Sequence, residues 1–371
     1  MFGLILILEE LFLYGALIFF RSTVDSLLVL FYCIFNAVGI STLVKIDFDL
    51  ASRQLVYCSI GFLVLLVILL VCQDFAWLTR FKFLYGVSAI VLCILPLIFG
   101  VSLGGAKNWI SLGGVTVQPS EFARVSLVLY FASELQDKQY SRFTTDLREF
   151  FRPLLVAGIC ICLLVKQNDL GAALLVFLLL VVVVFVTSSK TFYPLLAITC
   201  VILAGFLTFS YVPHFRTRVQ AWRDPWACAE SEGFQVTQGF YAMASGSLIG
   251  SEYQDVRPNY VPVCESDYIF TIICEEHGAL FCIGLIILSF LIFVRGLANV
   301  LNISNSFYRL CVVGFVTNYL LNILLILGGI LSVVPLTGVT YPLLSSGGSS
   351  LFATMISLGL ASKFSESTEV V

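Results

Sequence analysis

Apolar residues run along this chain in blocks of about 20, the length of helix that crosses a hydrocarbon core, with short polar turns between them. Ten blocks stand out: Leu27 to Val44, Leu55 to Val71, Phe83 to Val101, Ser120 to Leu135, Pro153 to Val165, Leu170 to Thr187, Phe192 to Phe209, Tyr268 to Val294, Phe307 to Val333 and Ser345 to Ala361. The pattern predicts an all-α, polytopic helical membrane protein of about ten transmembrane helices. A further apolar segment, Phe2 to Phe20, has Glu9 and Glu10 at its centre, which suits an extra span or an interfacial helix. It has neither a basic start nor a small-residue cleavage site, so it is not read as a signal peptide. The expected organisation is an N-terminal hydrophobic segment at 1–22, a transmembrane domain at 23–362 and a short polar tail at 363–371.

One connection breaks the rhythm. Residues 211–266 form a loop far beyond the usual connection length, which marks it as a functional element. Within it DPWACAESEG reads as turns, and FQVTQGFYAMASGSLIG has the spacing of a short amphipathic helix ended by Gly246 and Gly250.

Composition agrees with the pattern and removes other classes. With 59% hydrophobic and 12% charged residues and a mean hydropathy of +1.01, the chain is not a water-soluble domain. A net charge of −3 carries no nucleic-acid signature, and what matters is which turns hold Lys and Arg. Arg80, Lys82, Lys138, Arg142, Arg148, Arg152, Lys190, Arg295 and Lys363 share one side, which the positive-inside rule makes the cytoplasm. The opposite side receives Lys45 and Arg53, the turn holding Lys107 and Trp109, the turn from Lys166 to Asp169, the long loop, and Pro335 to Leu344. Arg216, Arg218, Arg223 and Arg257 lie in the long loop against the usual bias, an arrangement that suits an anionic ligand or is simply tolerated in a loop this size. Of 12 cysteines, most sit in apolar runs as small hydrophobes, while Cys228 and Cys264 share the loop and leave one disulfide open.

The candidate chemistry begins at Asp267, where the loop meets the apolar run in VPVCESDYIFTIICEEHG. A carboxylate at the mouth of a span is costly to bury and is read first as functional, with a helix N-cap as the plain alternative. Glu275 and Glu276 would lie roughly 12 to 14 Å further along an unbroken helix. Glu121 and Arg124 are three residues apart and share a helical face, as an intramembrane ion pair or as part of a site. Lys166 and Asp169 bracket a tight turn and are expected to pair with each other or with the long loop.

Four stretches resemble a known family, in its order. GGAKNWISLGGVTVQPSEFARVSLVLY is similar to its signature between the third and fourth spans. KQNDLGAALL resembles its Gln-Pro-Asp-Leu-Gly-Thr-Ala turn, VPVCESDYIFTIICEEHG its Pro-Glu-x-x-Thr-Asp-Phe-Ile-Phe stretch, and PLTGVTYPLLSSGGSSLFA its Pro-x-Thr-Gly and Ser-x-Gly-Gly-Ser-Ser run. These are the marks of the SEDS proteins, the shape, elongation, division and sporulation family of RodA, FtsW and SpoVE. The resemblance covers nearly everything from Leu27 to Ser362. It departs from the pattern at Asn168, at Pro262 and Val263, at His277 and at Ser346, and SLIGSEYQDVRPN lacks the family's usual Gly-rich stretch.

The resemblance implies a peptidoglycan glycosyltransferase that polymerises lipid II at the outer face of a bacterial cytoplasmic membrane, with a class B penicillin-binding protein as partner. It implies Asp267 as the catalytic residue, a general base for the acceptor hydroxyl. It also implies substrate contacts from Trp109, Lys107, Gln118, Glu121, Arg124, Arg216, Arg218, Glu275 and Ser349. Arg124 stands where the family usually has Lys, which keeps the charge but replaces an ammonium by a planar fork. No cofactor is fixed; a divalent cation, Mg or Mn, would meet the pyrophosphate as well as arginine does. Two other functions use the same residues: a carrier that flips the lipid-linked precursor without needing a base, and a catalytically silent scaffold for the penicillin-binding protein.

Overall fold

The computed structural model describes residues 11, 12, 15, 26–70, 76–103, 105–136, 143–251 and 260–366. Most of the N-terminal segment at 1–22, Lys138, Arg142, Arg257 and the end of the tail lie outside the described residues.

Ten long helices occupy the ten apolar blocks: α1 (Ser26–Ile46), α2 (Phe48–Leu70), α3 (Lys82–Phe99), α4 (Pro119–Leu135), α5 (Phe143–Lys166), α6 (Leu170–Ser188), α7 (Phe192–Tyr211), α10 (Ile269–Val300), α11 (Ser306–Ile330) and α12 (Gly348–Glu366). Two shorter helices, α8 (Pro213–Arg223) and α9 (Phe234–Gly246), fall within the long loop. Among the described residues, seven helices are long and apolar enough to cross a membrane on length and composition alone. Of the exceptions, α4 is only 17 residues long, and α5 and α12 carry more polar residues. Nearly all of α4 is buried, including Glu121, Arg124 and Glu134, so these groups face protein rather than lipid.

The core divides in two. One part joins α1, α2 and α10 to Tyr341, Leu343 and Leu344 of the connection between α11 and α12. The other joins α3 to α6 around the first half of α11. Both α11 and α12 contribute to each part, so they form the spine of the bundle. By contrast only 6% of the span in α7 is buried, which leaves that helix at the periphery.

The stretch expected as a plain turn between the third and fourth spans folds as a small antiparallel sheet, β1 (Val101–Leu103), β2 (Ala106–Leu112) and β3 (Val115–Val117), in the order β1-β2-β3. Leu112 pairs with Val115 across Gly113 and Gly114, whose φ values of 57° and 91° are those a two-residue hairpin turn requires of both central residues. Gly-Gly between two runs rich in Val and Ile was a hairpin signal within an otherwise helical sequence.

A second departure concerns α10. The apolar run predicts one continuous span, yet the helix breaks at Gly278, where φ is 81° and ψ 170°. The segment that follows α9 fills the gap. Ala279 N donates to Ser247 O at 2.9 Å, Leu280 N to Leu248 O at 3.1 Å, and Ser251 N to Glu275 O at 3.0 Å. The backbone groups released by the break are thereby satisfied by protein, the condition for irregular backbone among apolar helices. Beside the break, Glu276 forms an ion pair with Lys45 in the last turn of α1 and lies 3.2 Å from His277 Nε2.

The aromatic ring of Tyr341 stacks on Phe270 at 5.9 Å and on Phe35 at 6.3 Å, and its hydroxyl meets Ser289 Oγ at 2.8 Å. This pins the connection from Pro335 to Gly347 against α1 and α10. The candidate site is assembled on that connection.

Candidate functional site

Asp267 closes a turn just before α10. Its N–H donates to Val263 O at 3.2 Å, and its Oδ1 accepts from Ser266 Oγ at 3.0 Å. The turn is held from outside by the SSGG stretch: Ser345 Oγ donates to Ser266 O at 2.5 Å, Tyr341 N to Ser345 Oγ at 2.9 Å, and Ser346 N to Glu265 O at 2.8 Å. Ser345 and Ser346 thus fix the backbone of Glu265 and Ser266, immediately before the carboxylate.

Arg218, on α8, faces the same place. Its Nη1 donates to Leu336 O at 3.0 Å. A Cβ added to Gly338 would stand 3.6 Å from both Arg218 Nη atoms and 3.7 Å from Asp267 Oδ2, so acid and guanidinium flank the bare backbone of Gly338. Burial pushes the Asp267 carboxyl up to about 6, while the Ser266 hydroxyl and the Arg218 charge pull the other way. The Ser266 bond is the one hydrogen bond to the Asp267 side chain among the described residues. Asp267 and Arg218 border a cavity of about 400 Å³ that is walled on its other sides by Trp222, Glu232, Gln235 and Leu336.

A second polar cluster adjoins the first. Asp169 caps the N-terminus of α6 by accepting from Ala172 N at 3.0 Å. It also accepts from Asn108 Nδ2 at 2.7 Å and from Gln118 Nε2 at 3.1 Å. Gln118 N donates to Ser349 Oγ at 3.3 Å, which ties the start of α4 to the start of α12. Thr337 bridges the clusters: a Cβ at Gly171 would come within 2.5 Å of Thr337 O, so α6 approaches the Leu336 to Gly338 backbone as closely as glycine permits. The pairing expected between Lys166 and Asp169 is not formed; Asn108 and Gln118 occupy the carboxylate, and Lys166 is exposed.

The remaining sequence-predicted residues are placed as follows. Glu121 and Arg124 form a buried ion pair within the bundle. Glu121 also borders a small internal cavity with Asn318, Asn322 and Ser350. Trp109 lies half-buried on β2 opposite Val101. Lys107 donates from Nζ to Leu97 O at 2.9 Å, so its ammonium caps carbonyls at the end of α3. Arg216 does not share the cavity with Arg218. Its Nε and Nη2 donate to Phe209 O at 3.2 Å and Ser210 O at 2.9 Å, and its guanidinium lies 5.7 Å above the Phe209 ring, closing the end of α7. Glu275 accepts from Ser245 Oγ at 3.3 Å beside the break in α10. Cys228 and Cys264 are free thiols.

Sequence reasoning passed over Asn108, Trp222, Glu232 and Gln235, and gave Asp169 only a turn role. Glu232 and Gln235 are common residue types in a polar loop, and nothing in their spacing separates them from neighbours. Among the described residues no three His, Cys, Asp or Glu side chains gather as a metal-ligand set. Asp267 and Glu232 are the carboxylates that the cavity wall offers a divalent cation.

The chain is similar to known proteins along nearly its whole length. A family model described as cell cycle protein, that of FtsW, RodA and SpoVE, matches residues 15–370. The peptidoglycan glycosyltransferase RodA of Mycobacterium tuberculosis is 27% identical over 370 residues, covering 93% of this chain and 79% of the relative. A chain in the structure described as structural coordination of polymerization and crosslinking by a peptidoglycan synthase complex superposes with a TM-score of 0.78 at 27% identity, over 94% of this chain and 99% of that one. The crystal structure of the rod shape determining protein RodA of Thermus thermophilus gives a TM-score of 0.70 at 25% identity, with the same coverage of both chains.

Proposed function

Since the chain belongs to the FtsW, RodA and SpoVE family and is a membrane-embedded peptidoglycan glycosyltransferase, we propose that Asp267 is its general base and Arg218 the cation that meets the departing pyrophosphate. The substrate is lipid II, and the reaction takes place at the outer face of a bacterial cytoplasmic membrane. The acceptor 4-hydroxyl attacks the anomeric carbon of the donor sugar. Its proton passes to an Asp267 oxygen, the new glycosidic bond forms, and the bond from the anomeric carbon to undecaprenyl pyrophosphate breaks. A positioned base contributes roughly 10² to 10⁴ in rate, and a cation at the leaving group a comparable factor.

The observation that carries this reading is the half-buried carboxylate at the edge of a cavity, with a pKa pushed up to about 6. That value keeps Asp267 largely ionised at neutral pH while making it a better proton acceptor than an ordinary aspartate. Arg218 lies close enough to stabilise the anion without capturing Asp267 in a direct hydrogen bond. Gln118, Asp169 and Ser349 hold the ends of α4, α6 and α12 in register around this point. Glu121 and Arg124 pair with each other within the bundle, and Glu121 borders a separate small cavity. The partner is a class B penicillin-binding protein that cross-links the glycan strands.

The test is lipid II polymerisation by the purified protein with its transpeptidase, wild type against Asp267→Asn. The wild type should extend glycan strands, and the variant should fold, bind lipid II and make none. Polymerisation by the variant at the wild-type rate would remove Asp267 from the chemistry. If instead both proteins move labelled lipid II across proteoliposomes and neither polymerises, the carrier reading replaces the enzyme; if neither activity appears, the scaffold reading does.

A further inference from the structure

Two sides of the cavity beside Asp267 differ in chemistry. Arg218 and the Gly338 backbone form a cationic side, suited to phosphate. The wall formed by Trp222, Glu232 and Gln235 is aromatic and acidic or neutral, and an anion is repelled there. Trp222 is half-buried, and its indole N–H donates to Ser332 O at 2.8 Å, which fixes the plane of the ring. A tryptophan whose polar edge is satisfied by protein presents only its apolar face to an occupant. Gln235 Nε2 donates to Pro262 O at 3.0 Å, which leaves Oε1 without a partner among the described residues and turned to accept a hydrogen bond.

Resting on the reading of Asp267 as base, we propose that Trp222, Gln235 and Glu232 form a saccharide subsite: an uncharged pyranose lies on the Trp222 ring while its hydroxyls donate to Gln235 Oε1 and to the Glu232 carboxylate. The ligand class follows from the wall. An axially hydrogen-rich sugar face packs on an aromatic ring, and sugar hydroxyls donate where only acceptors are offered. The volume of about 400 Å³ falls within the range of small-molecule sites, enough for sugars but not for a lipid chain. Since the same cavity holds Asp267, a sugar seated on Trp222 has its hydroxyl edge within the base's enclosure. The subsite therefore binds the sugar in the ground and transition states alike, and the charge difference between the two walls keeps the pyrophosphate on the Arg218 side. Trp222 is a binding residue here and takes no proton.

The experiment compares Trp222→Phe and Trp222→Leu in lipid II polymerisation, with kcat and KM separated. Phenylalanine keeps the face and loses the N–H; leucine keeps apolar bulk and loses the face. Trp222→Leu should raise KM for lipid II several-fold to about tenfold with kcat within about twofold, and Trp222→Phe should restore most of the difference. Equal KM values for wild type and the leucine variant would overturn the subsite. A second measurement does not depend on either turnover or the folding of the leucine variant: lipid II should quench tryptophan emission saturably in the Asp267→Asn protein, and the quenching should be lost when Trp222→Phe is added. Quenching that persists unchanged in the double variant also overturns it. Should the wild type fail to polymerise, the enzymatic reading falls on that result alone, while the quenching experiment still decides the subsite.

Discussion

At the scale of single residues, the site turns on a carboxylate that pays for its burial. The ordinary aspartate value of 3.8 is pushed up to about 6 at Asp267, so the folded protein holds that proton more tightly than the unfolded chain does. Stability from this group is thus highest below about pH 4, declines as pH rises through the window between 3.8 and about 6, and is fully lost above it. Asp267→Asn should accordingly stabilise the fold at pH 7.5 by up to about 3 kcal/mol, read as a higher melting temperature, and the gain should vanish near pH 4. Activity has the opposite dependence. Polymerisation should fall about tenfold per unit below the pKa, since only the carboxylate accepts a proton; a flat profile down to pH 5 would dissociate Asp267 from the rate. The two arginines of α8 give a second residue-level prediction. Arg218→Ala should cost roughly 10² in kcat/KM and Arg216→Ala less than about threefold, measured in the same assay. Sequence alone named both as candidates. Residues two apart on a helix point to nearly opposite sides, and which side meets the cavity is fixed only by how α8 packs, which the loop sequence does not encode locally.

At the scale of elements, the positions of the long helices were legible because most of them are apolar runs of near-membrane length. The break in α10 was not. A single glycine inside a helical pattern costs only about 1 kcal/mol and is a weak signal, and EEHGAL reads equally well as an unbroken helix. What forces the break is tertiary: Gly278 faces Gly250 so closely that a Cβ at either would strike the other segment's backbone, and both have positive φ. Gly278→Ala should therefore cost about 1 to 3 kcal/mol in thermal unfolding and lower activity with it; an unchanged melting temperature would mean that α10 can run straight. The N-terminus of α6 behaves similarly. Asp169 was visible as a turn acid, but its partners Asn108 and Gln118 come from the sheet and from the start of α4, far away in sequence. Asp169→Ala removes a cap and two side-chain bonds and should cost about 1 to 3 kcal/mol, whereas Asp169→Asn, which keeps an acceptor for the cap, should cost less.

For the whole molecule, burial is distributed unevenly. The span in α11 is 78% buried and that in α7 only 6%, so α11 is the axis of the fold and α7 stands at its margin. Photoactivated labelling from within the bilayer, read by mass spectrometry, should modify α7 around most of its circumference and leave α11 nearly untouched. Hydropathy could not separate them, since both are apolar, with mean hydropathy values of 2.2 and 2.1; which apolar helix is central depends on side-chain fit across helices. The polar helix α4 shows the reverse, since its charges made it the weakest span by composition and its burial makes it central.

The joint at Gly278 has a mechanical side. The helix α9 and the half of α10 from Ile269 to His277 touch backbone to ring and backbone to backbone, at Gly239 against Tyr268 and at Gly246 against Cys274. They pack as one unit with Asp267 just before it, so a side chain at Gly239 would press on the ring of Tyr268, the residue next to the carboxylate.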